Sequence, residues 1–172
     1  MIVIVGPSCA GKTCIERKLT EHGLKRIISY TSRVIRKNET NHIDYHFITK
    51  EEFEQKLLEG FFAEHSVYNS WNYGIAYEDC CDDAICVVET SGLNQLKANK
   101  NLNIKSFCIN VDERTRVIRM MKRGDNIMES FRRIISDQGM FSGIEYEVDY
   151  VIDNPDGELD LAVGKIVNIL NL

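Results

Sequence analysis

Residues Gly6-Pro7-Ser8-Cys9-Ala10-Gly11-Lys12-Thr13 constrain this chain more than any other stretch. They fit the pattern G-x-x-x-x-G-K-[ST] in full and follow directly on the apolar run Ile2 to Val5. The run reads as a buried parallel strand, and Lys12 to Glu21 reads as a helix. A strand–loop–helix of this kind aims successive backbone N–H groups, here from Gly6 through Ser8, Cys9, Ala10 and Gly11 to Cys14, at a phosphate chain. Lys12 is placed to reach the β- and γ-phosphates, and the Thr13 hydroxyl to hold Mg²⁺. The pattern therefore predicts binding of a nucleoside triphosphate.

The remaining segments alternate β and α, which predicts a mostly parallel central sheet between helical layers. Strands are expected at Arg26 to Tyr30, Ile43 to Ile48, Phe61 to Tyr68, Trp71 to Tyr77, Ala84 to Val88, Ile104 to Asn110 and Tyr150 to Ile152. Phe61 to Tyr68 and Trp71 to Tyr77 read as a pair joined at Asn69-Ser70. Thr49-Lys50-Glu51-Glu52 is a capping box that starts a helix ending near Gly60. Further helices are expected at Ser91 to Asn99, Asp112 to Arg123, Ile127 to about Gln138 and Glu158 to Leu170. Residues 31–78 break the βαβ rhythm and read as an inserted small α+β lobe.

With 172 residues the chain is expected to form one domain and to bury about 70% of its unfolded surface. It then needs neither disulfide nor structural metal. The six cysteines show no C-x-x-C pair, and Cys86 and Cys108 sit in apolar runs as small core residues. A disulfide at Cys9 would block the loop, so the expectation is a reducing, cytoplasmic location. Met1 to Val5 is too short for a signal peptide, and no segment reaches membrane-spanning length. A net charge of −5 argues against nucleic acid as a partner. Basic residues nonetheless crowd between Arg114 and Arg133, where an exposed helix face with pairs such as Asp112 to Arg116 is one reading.

The inserted lobe carries a second constellation. Arg33 and Arg36, three residues apart in a loop, suit a phosphate clamp, and the Tyr45 and Tyr73 hydroxyls suit the same phosphate. Glu64 stands in an apolar strand run, and its carboxylate suits the paired N–H donors of guanine, as adenine does not. Spacing alone leaves open that the arginines are solvated loop charges and that Glu64 pairs with one of them.

The segments Ile28-Ser29-Tyr30-Thr31-Ser32-Arg33-Val34-Ile35-Arg36, Asp44-Tyr45-His46-Phe47, Glu51-Glu52-Phe53, Gly60-Phe61-Phe62-Ala63-Glu64 and Asn72-Tyr73-Gly74 resemble, in order after the phosphate loop, those of guanylate kinases. The resemblance covers nearly the whole chain. It implies a P-loop three-layer α/β fold with a core of 1–30, 79–118 and 134–172, a nucleoside-monophosphate lobe of 31–78 and a helical lid of about 119–133. It implies transfer of a phosphoryl group from ATP to GMP or dGMP with Mg²⁺, in a monomer or homodimer. Arg33, Arg36, Tyr45 and Tyr73 match the GMP phosphate ligands, and Ser29 and Glu64 the guanine ligands. Glu89, in Glu89-Thr90-Ser91-Gly92, replaces an Asp that faces the acceptor site and the metal region. Arg119, Arg123 and Arg133 fall at the lid arginines, with Lys12, Arg36, Arg123 and Arg133 expected in catalysis. Asn154 matches a position near the adenine of ATP.

The chain also departs from the pattern. Ile35 replaces a proline, Asn38 and His42 replace glycines, Ile75 replaces a Ser or Thr that helps hold the base, and the lid stretch Gly124 to Glu129 is short. These departures bear on base selectivity and lid closure, not on triphosphate binding. Two other functions fit parts of the pattern: a kinase for another phosphorylated acceptor, and a non-catalytic module that grips phosphopeptides.

Overall fold

The computed structural model describes residues 1–36, 39–68 and 70–172, with Tyr68 described by its backbone alone. Asn38, and Asn69 of the expected turn, lie outside the described residues. Among the described residues the chain forms two sheets. The larger is wholly parallel, in the order β2-β7-β1-β8-β9, with β1 Ile2–Val5, β2 Lys25–Arg26, β7 Ala84–Val87, β8 Lys105–Asn110 and β9 Tyr150–Asp153. The smaller is mixed, in the order β4-β3-β6-β5, with β3 Tyr30–Thr31, β4 His46–Phe47, β5 Phe62–Tyr68 and β6 Trp71–Ala76.

Both faces of the larger sheet are covered, so its strands are apolar on alternate and on intervening residues. Ile2, Ile4, Ile85, Phe107 and Ile109 point to one side, onto α1 (Lys12–Thr20) and α6 (Leu159–Leu170) through Ile15, Leu19, Ala162 and Ile166. Val3, Val5, Cys86 and Cys108 point to the other, onto α3 (Thr90–Ala98) through Leu93 and Leu96. This is the expected three-layer arrangement, and the two cysteines are core residues as expected. All six cysteines are free, and among the described residues no helix is long and apolar enough to cross a membrane.

The smaller sheet is closed from outside by α2 (Lys50–Leu58). Its start is fixed by the expected capping box: the Thr49 hydroxyl accepts from Glu52 N at 3.1 Å, and the Glu52 carboxylate accepts from Thr49 N at 2.7 Å. Caps of this type stabilise a helix by about 1 kcal/mol. Phe53 on its inner face is fully buried and stacks on Phe62 with centroids 4.4 Å apart.

Two expected strands are different in the structure. Arg26 to Tyr30 is not one strand: Lys25–Arg26 pairs with β7 in the larger sheet, and Tyr30–Thr31 pairs with β4 and β6 in the smaller. Ile43 to Ile48 contributes only His46–Phe47. The residues before it turn instead, because Asp44 Oδ2 accepts from Thr40 N at 2.7 Å and His42 takes φ +65°. His42, which replaces a glycine of the resembled pattern, thus takes left-handed backbone, a region that glycine favours. The helical segment after β8 divides into α4 (Glu113–Arg123) and α5 (Ile127–Met140), capped by Asp112 and Asn126 and separated at Gly124.

Candidate active site

The loop after β1 is shaped by close passage over β8. Gly6 has φ +144°, and a Cβ there would lie 2.6 Å from the Ile109 carbonyl oxygen, so no other residue fits. Cys9 takes φ +60°, and Gly11 is the left-handed N-cap of α1. The Lys12 ammonium folds back, donating to the carbonyls of Gly6 (2.6 Å) and Pro7 (2.9 Å). Burial pushes its pKa down to about 8, against the opposing pull of Asp137 and Glu89.

This loop forms one wall of a cavity of about 330 Å³. Gly6, Ser8 and Lys12 line it on that side, and Ser29, Tyr45, Glu64 and Tyr73 line it from the smaller sheet. Glu89 lies between them at the N-cap of α3. Residues that are up to 135 positions apart in sequence, Gly6 and Phe141, therefore converge on one space. Burial pushes the Glu64 carboxyl up to about 7, which a hydrogen bond from Ser66 opposes and the nearby Glu89 charge reinforces. Burial also raises Glu89, and the Lys12 charge opposes it.

Arg33 is buried beneath Tyr45 and Phe47, its guanidinium 5.5 Å from each ring centroid. It makes a bidentate pair with Glu39 at 3.0 and 2.8 Å. Arg33 is thus no solvated charge, and Glu64 bonds to neither arginine; its partner is Ser66. Arg36 is exposed, and its backbone N–H donates to Glu39 at 2.9 Å. Tyr45 and Tyr73 meet edge to face with centroids 6.0 Å apart.

The basic segment lies beyond the loop. Arg119 donates to the carbonyls of Cys9 (3.2 Å) and Asn154 (2.8 Å) and pairs with Asp156 at 3.0 Å. The Asn154 amide donates to Ala10 O at 2.7 Å, and its Oδ1 is buried with no hydrogen-bond partner among the described residues. Arg123 pairs with Asp125, and Arg133 with Glu129 at 3.0 Å and Asp125 at 3.7 Å. The bonds from Arg132 and Arg133 hold Glu129 down at about 2. Arg36, Arg123 and Arg133 do not line the cavity. Thr13 and Cys14, exposed in the first turn of α1, do not line it either.

Sequence reasoning missed several contributors. Asp137 and Met140 of α5, and Phe141 directly after it, line the cavity, as does Ser66. Arg116 does not pair with Asp112, whose carboxylate caps Thr115 N at 2.9 Å. It is buried instead against Asp137, its guanidinium donating to that carboxylate. The crowded basic run hid this, since a helix face with so many charges reads as exposed.

Mg²⁺ suits the donors that are present. Among the described residues no cluster of three metal-ligating side chains occurs. The Thr13 hydroxyl and the Glu89 carboxylate offer only oxygen, in keeping with an ion that retains waters and takes most of its ligands from phosphates.

Known proteins resemble this chain along nearly its whole length. The family model described as guanylate kinase matches residues 1–171. A guanylate kinase of Clostridium perfringens strain 13 is 32% identical over 183 residues, covering 99% of this chain and 82% of that one. A guanylate kinase of Schizosaccharomyces pombe is 37% identical over 107 residues. That match covers 57% of this chain and about half (53%) of the relative's length. The crystal structure of guanylate kinase from Anaplasma phagocytophilum shares the fold, with a TM-score of 0.75 at 21% identity over 99% of this chain and 84% of that one. On the match along nearly its whole length, the chain belongs to the guanylate kinase family.

Proposed function

We propose that the protein transfers the γ-phosphoryl group of ATP to GMP or dGMP, giving ADP and GDP or dGDP. The observation that carries this reading is the single cavity with the Lys12 loop on one wall and Glu64, Tyr45 and Tyr73 on the other. A donor phosphate chain and an acceptor monophosphate can meet there without leaving the protein. Neither a phosphopeptide module nor a kinase for a sugar phosphate has a use for a buried carboxylate at the far end of that space.

Phosphoryl transfer needs alignment and charge neutralisation more than covalent chemistry. Lys12 leaves the carbonyls of its own loop for the β- and γ-phosphates. The loop N–H groups from Ser8 to Cys14 hold the same chain, and Arg119 and Asn154 border the nucleoside of ATP. Thr13 and Glu89 would hold Mg²⁺, which supplies further neutralisation of the transferring group when bound. Arg33, already oriented by Glu39, and Arg36 grip the acceptor phosphate together with Tyr45 and Tyr73. That phosphate is itself the nucleophile, so no general base is required. Arg123 and Arg133 exchange Asp125 and Glu129 for the transferring group as residues 31–78 and the lid at 119–133 close over a core of the remaining residues. At the base, ionised Glu64 accepts from N1–H and the 2-amino group of guanine while Ser29 lies beside it. The six free cysteines support a reducing, cytoplasmic setting.

The test is ADP release measured in a coupled assay across all ribo- and deoxyribonucleoside monophosphates. GMP or dGMP should exceed AMP by about 10⁴ in kcat/KM, because adenine leaves the buried carboxylate unpaired. Equal rates with AMP and GMP would refute the assignment.

A further inference from the structure

Arg116 of α4 and Asp137 of α5 are among the few buried charged residues, at 4% and 7% exposure, and the phosphoryl-transfer scheme uses neither. Removing two charges from water is costly unless geometry and further hydrogen bonds compensate. Here both partners continue into the phosphate loop at one residue. Arg116 Nε donates to Ser8 O at 2.9 Å while its terminal nitrogen donates to Asp137 Oδ2. The same carboxylate oxygen accepts from Ser8 N at 2.9 Å, and Oδ1 lies 3.4 Å from Ser8 Oγ.

A carboxylate therefore sits on an N–H group of the loop that otherwise serves phosphate. Lys12 is likewise turned onto loop carbonyls. The cationic end of the cavity is satisfied from within the chain. We propose that Asp137 is a resident anion of the phosphate loop, that a phosphate oxygen of ATP displaces it from Ser8, and that Arg116 then becomes a ligand of that phosphate. The proposal rests on the reading of the loop as the ATP site.

One N–H cannot serve a carboxylate and a phosphate at full strength, and two anions at that spacing repel strongly in a partly buried site. If Asp137 left without replacement, Arg116 would be a buried, unpaired charge, so the arriving anion takes the vacated partner position. A guanidinium is suited to that exchange, since it meets carboxylate and phosphate with the same planar donors. Asp137 also has somewhere to go: it separates the nucleotide cavity from a second one of about 510 Å³, lined by Gln138, Glu113 and Asn110. Arg133 lies one turn before Asp137 on α5, so the carboxylate that leaves Ser8 sits on the same helix as a lid arginine.

The experiment is equilibrium titration of the whole protein with β,γ-imido-ATP and Mg²⁺, with no GMP present. Asp137→Asn keeps the shape and removes the competing charge, so it should bind the analogue about tenfold more tightly than wild type. Adding Arg116→Met to Asp137→Asn should lose about tenfold or more, as expected of a lost charge-assisted bond to phosphate. Unchanged or weaker binding by Asp137→Asn would overturn the proposal and make the carboxylate a fixed brace of the loop. A crystal structure of the wild-type complex serves if the variants do not fold. Asp137 off Ser8 N and Arg116 on a phosphate oxygen supports the displacement, and Asp137 still on Ser8 N beside bound analogue overturns it alone. Failure of the wild-type protein to bind the analogue at all would overturn the ATP reading as well.

Discussion

Gly92 offers a way to disturb base recognition without touching a recognition residue. It lies in the first turn of α3, and its backbone is in a region that alanine adopts freely. A Cβ at this position would stand 2.8 Å from Glu64 Oε1, 3.1 Å from Glu64 Cδ and 3.0 Å from Val88 Cβ. Ordinary contact begins near 3.4 Å, so Gly92→Ala must push the carboxylate by about 0.6 Å. In stability the two effects offset in part, leaving a net cost of about 0–2 kcal/mol. Alanine gains about 1 kcal/mol of helix propensity over glycine, and local overpacking costs about 1–3 kcal/mol. In function there is no such offset. A displaced carboxylate keeps one of its two bonds to guanine, and a lost hydrogen bond to a charged group costs about 1.5–3 kcal/mol, or roughly 10- to 150-fold in kcat/KM. IMP, which lacks the 2-amino donor, has only one of those bonds to lose and should fall less. The assay is coupled ADP release with GMP and IMP in parallel, alongside a thermal melt. A Gly92→Ala protein that melts like wild type and retains the wild-type ratio of GMP to IMP would refute the placement of guanine against Glu64.

Other outcomes follow from the same geometry. Lys12→Ala should fold, since its ammonium bonds only to loop carbonyls, and should lose about 10²–10³ in turnover; a wild-type rate would remove Lys12 from the chemistry. Glu64 has its folded pKa raised from 4.5 to about 7, so its contribution to stability is greatest below 4.5 and is lost as pH rises through about 7. Guanine requires the ionised form, so KM for GMP should fall as pH rises through about 7 in wild type, and Glu64→Gln should abolish that dependence beyond what GMP's own phosphate contributes. Closure of the two lobes on a bisubstrate analogue should reduce the radius of gyration in small-angle scattering, and an unchanged value counts against hinge motion.

Much of this arrangement is legible in the residues. The loop from Gly6 to Thr13 has fixed spacing and an apolar strand before it, and each local signal agrees with the next. The capping box at Thr49 is as explicit. Arg26 to Tyr30 misleads because a strand's apolar pattern records that it is buried, not which sheet it joins; five residues divide between two sheets with no break in composition. At Ile43 to Ile48 the alternation competes with a turn set by Asp44, a local side-chain bond that periodicity does not register. Glu39, Asp125 and Glu129, the internal partners of Arg33, Arg123 and Arg133, look like ordinary surface acids in sequence. Arg116 and Asp137 are 21 residues apart on two helices, and only the crossing of α4 and α5 over the loop reveals their pairing.

The division of β2 and β3 between sheets also bears on how such a chain can diversify. β2 and β7 are neighbours in the larger sheet, with Lys25 opposite Ala84. The chain leaves that sheet and returns to it about one strand spacing (~4.8 Å) away. The residues proposed to grip the acceptor from Ser29 to Tyr73 all lie in the contiguous stretch between those two points. Insertions and deletions in the loops of that stretch leave the pairing of the parallel strands unaltered, so the residues proposed for the acceptor can vary while the phosphate loop keeps its place between β1 and α1.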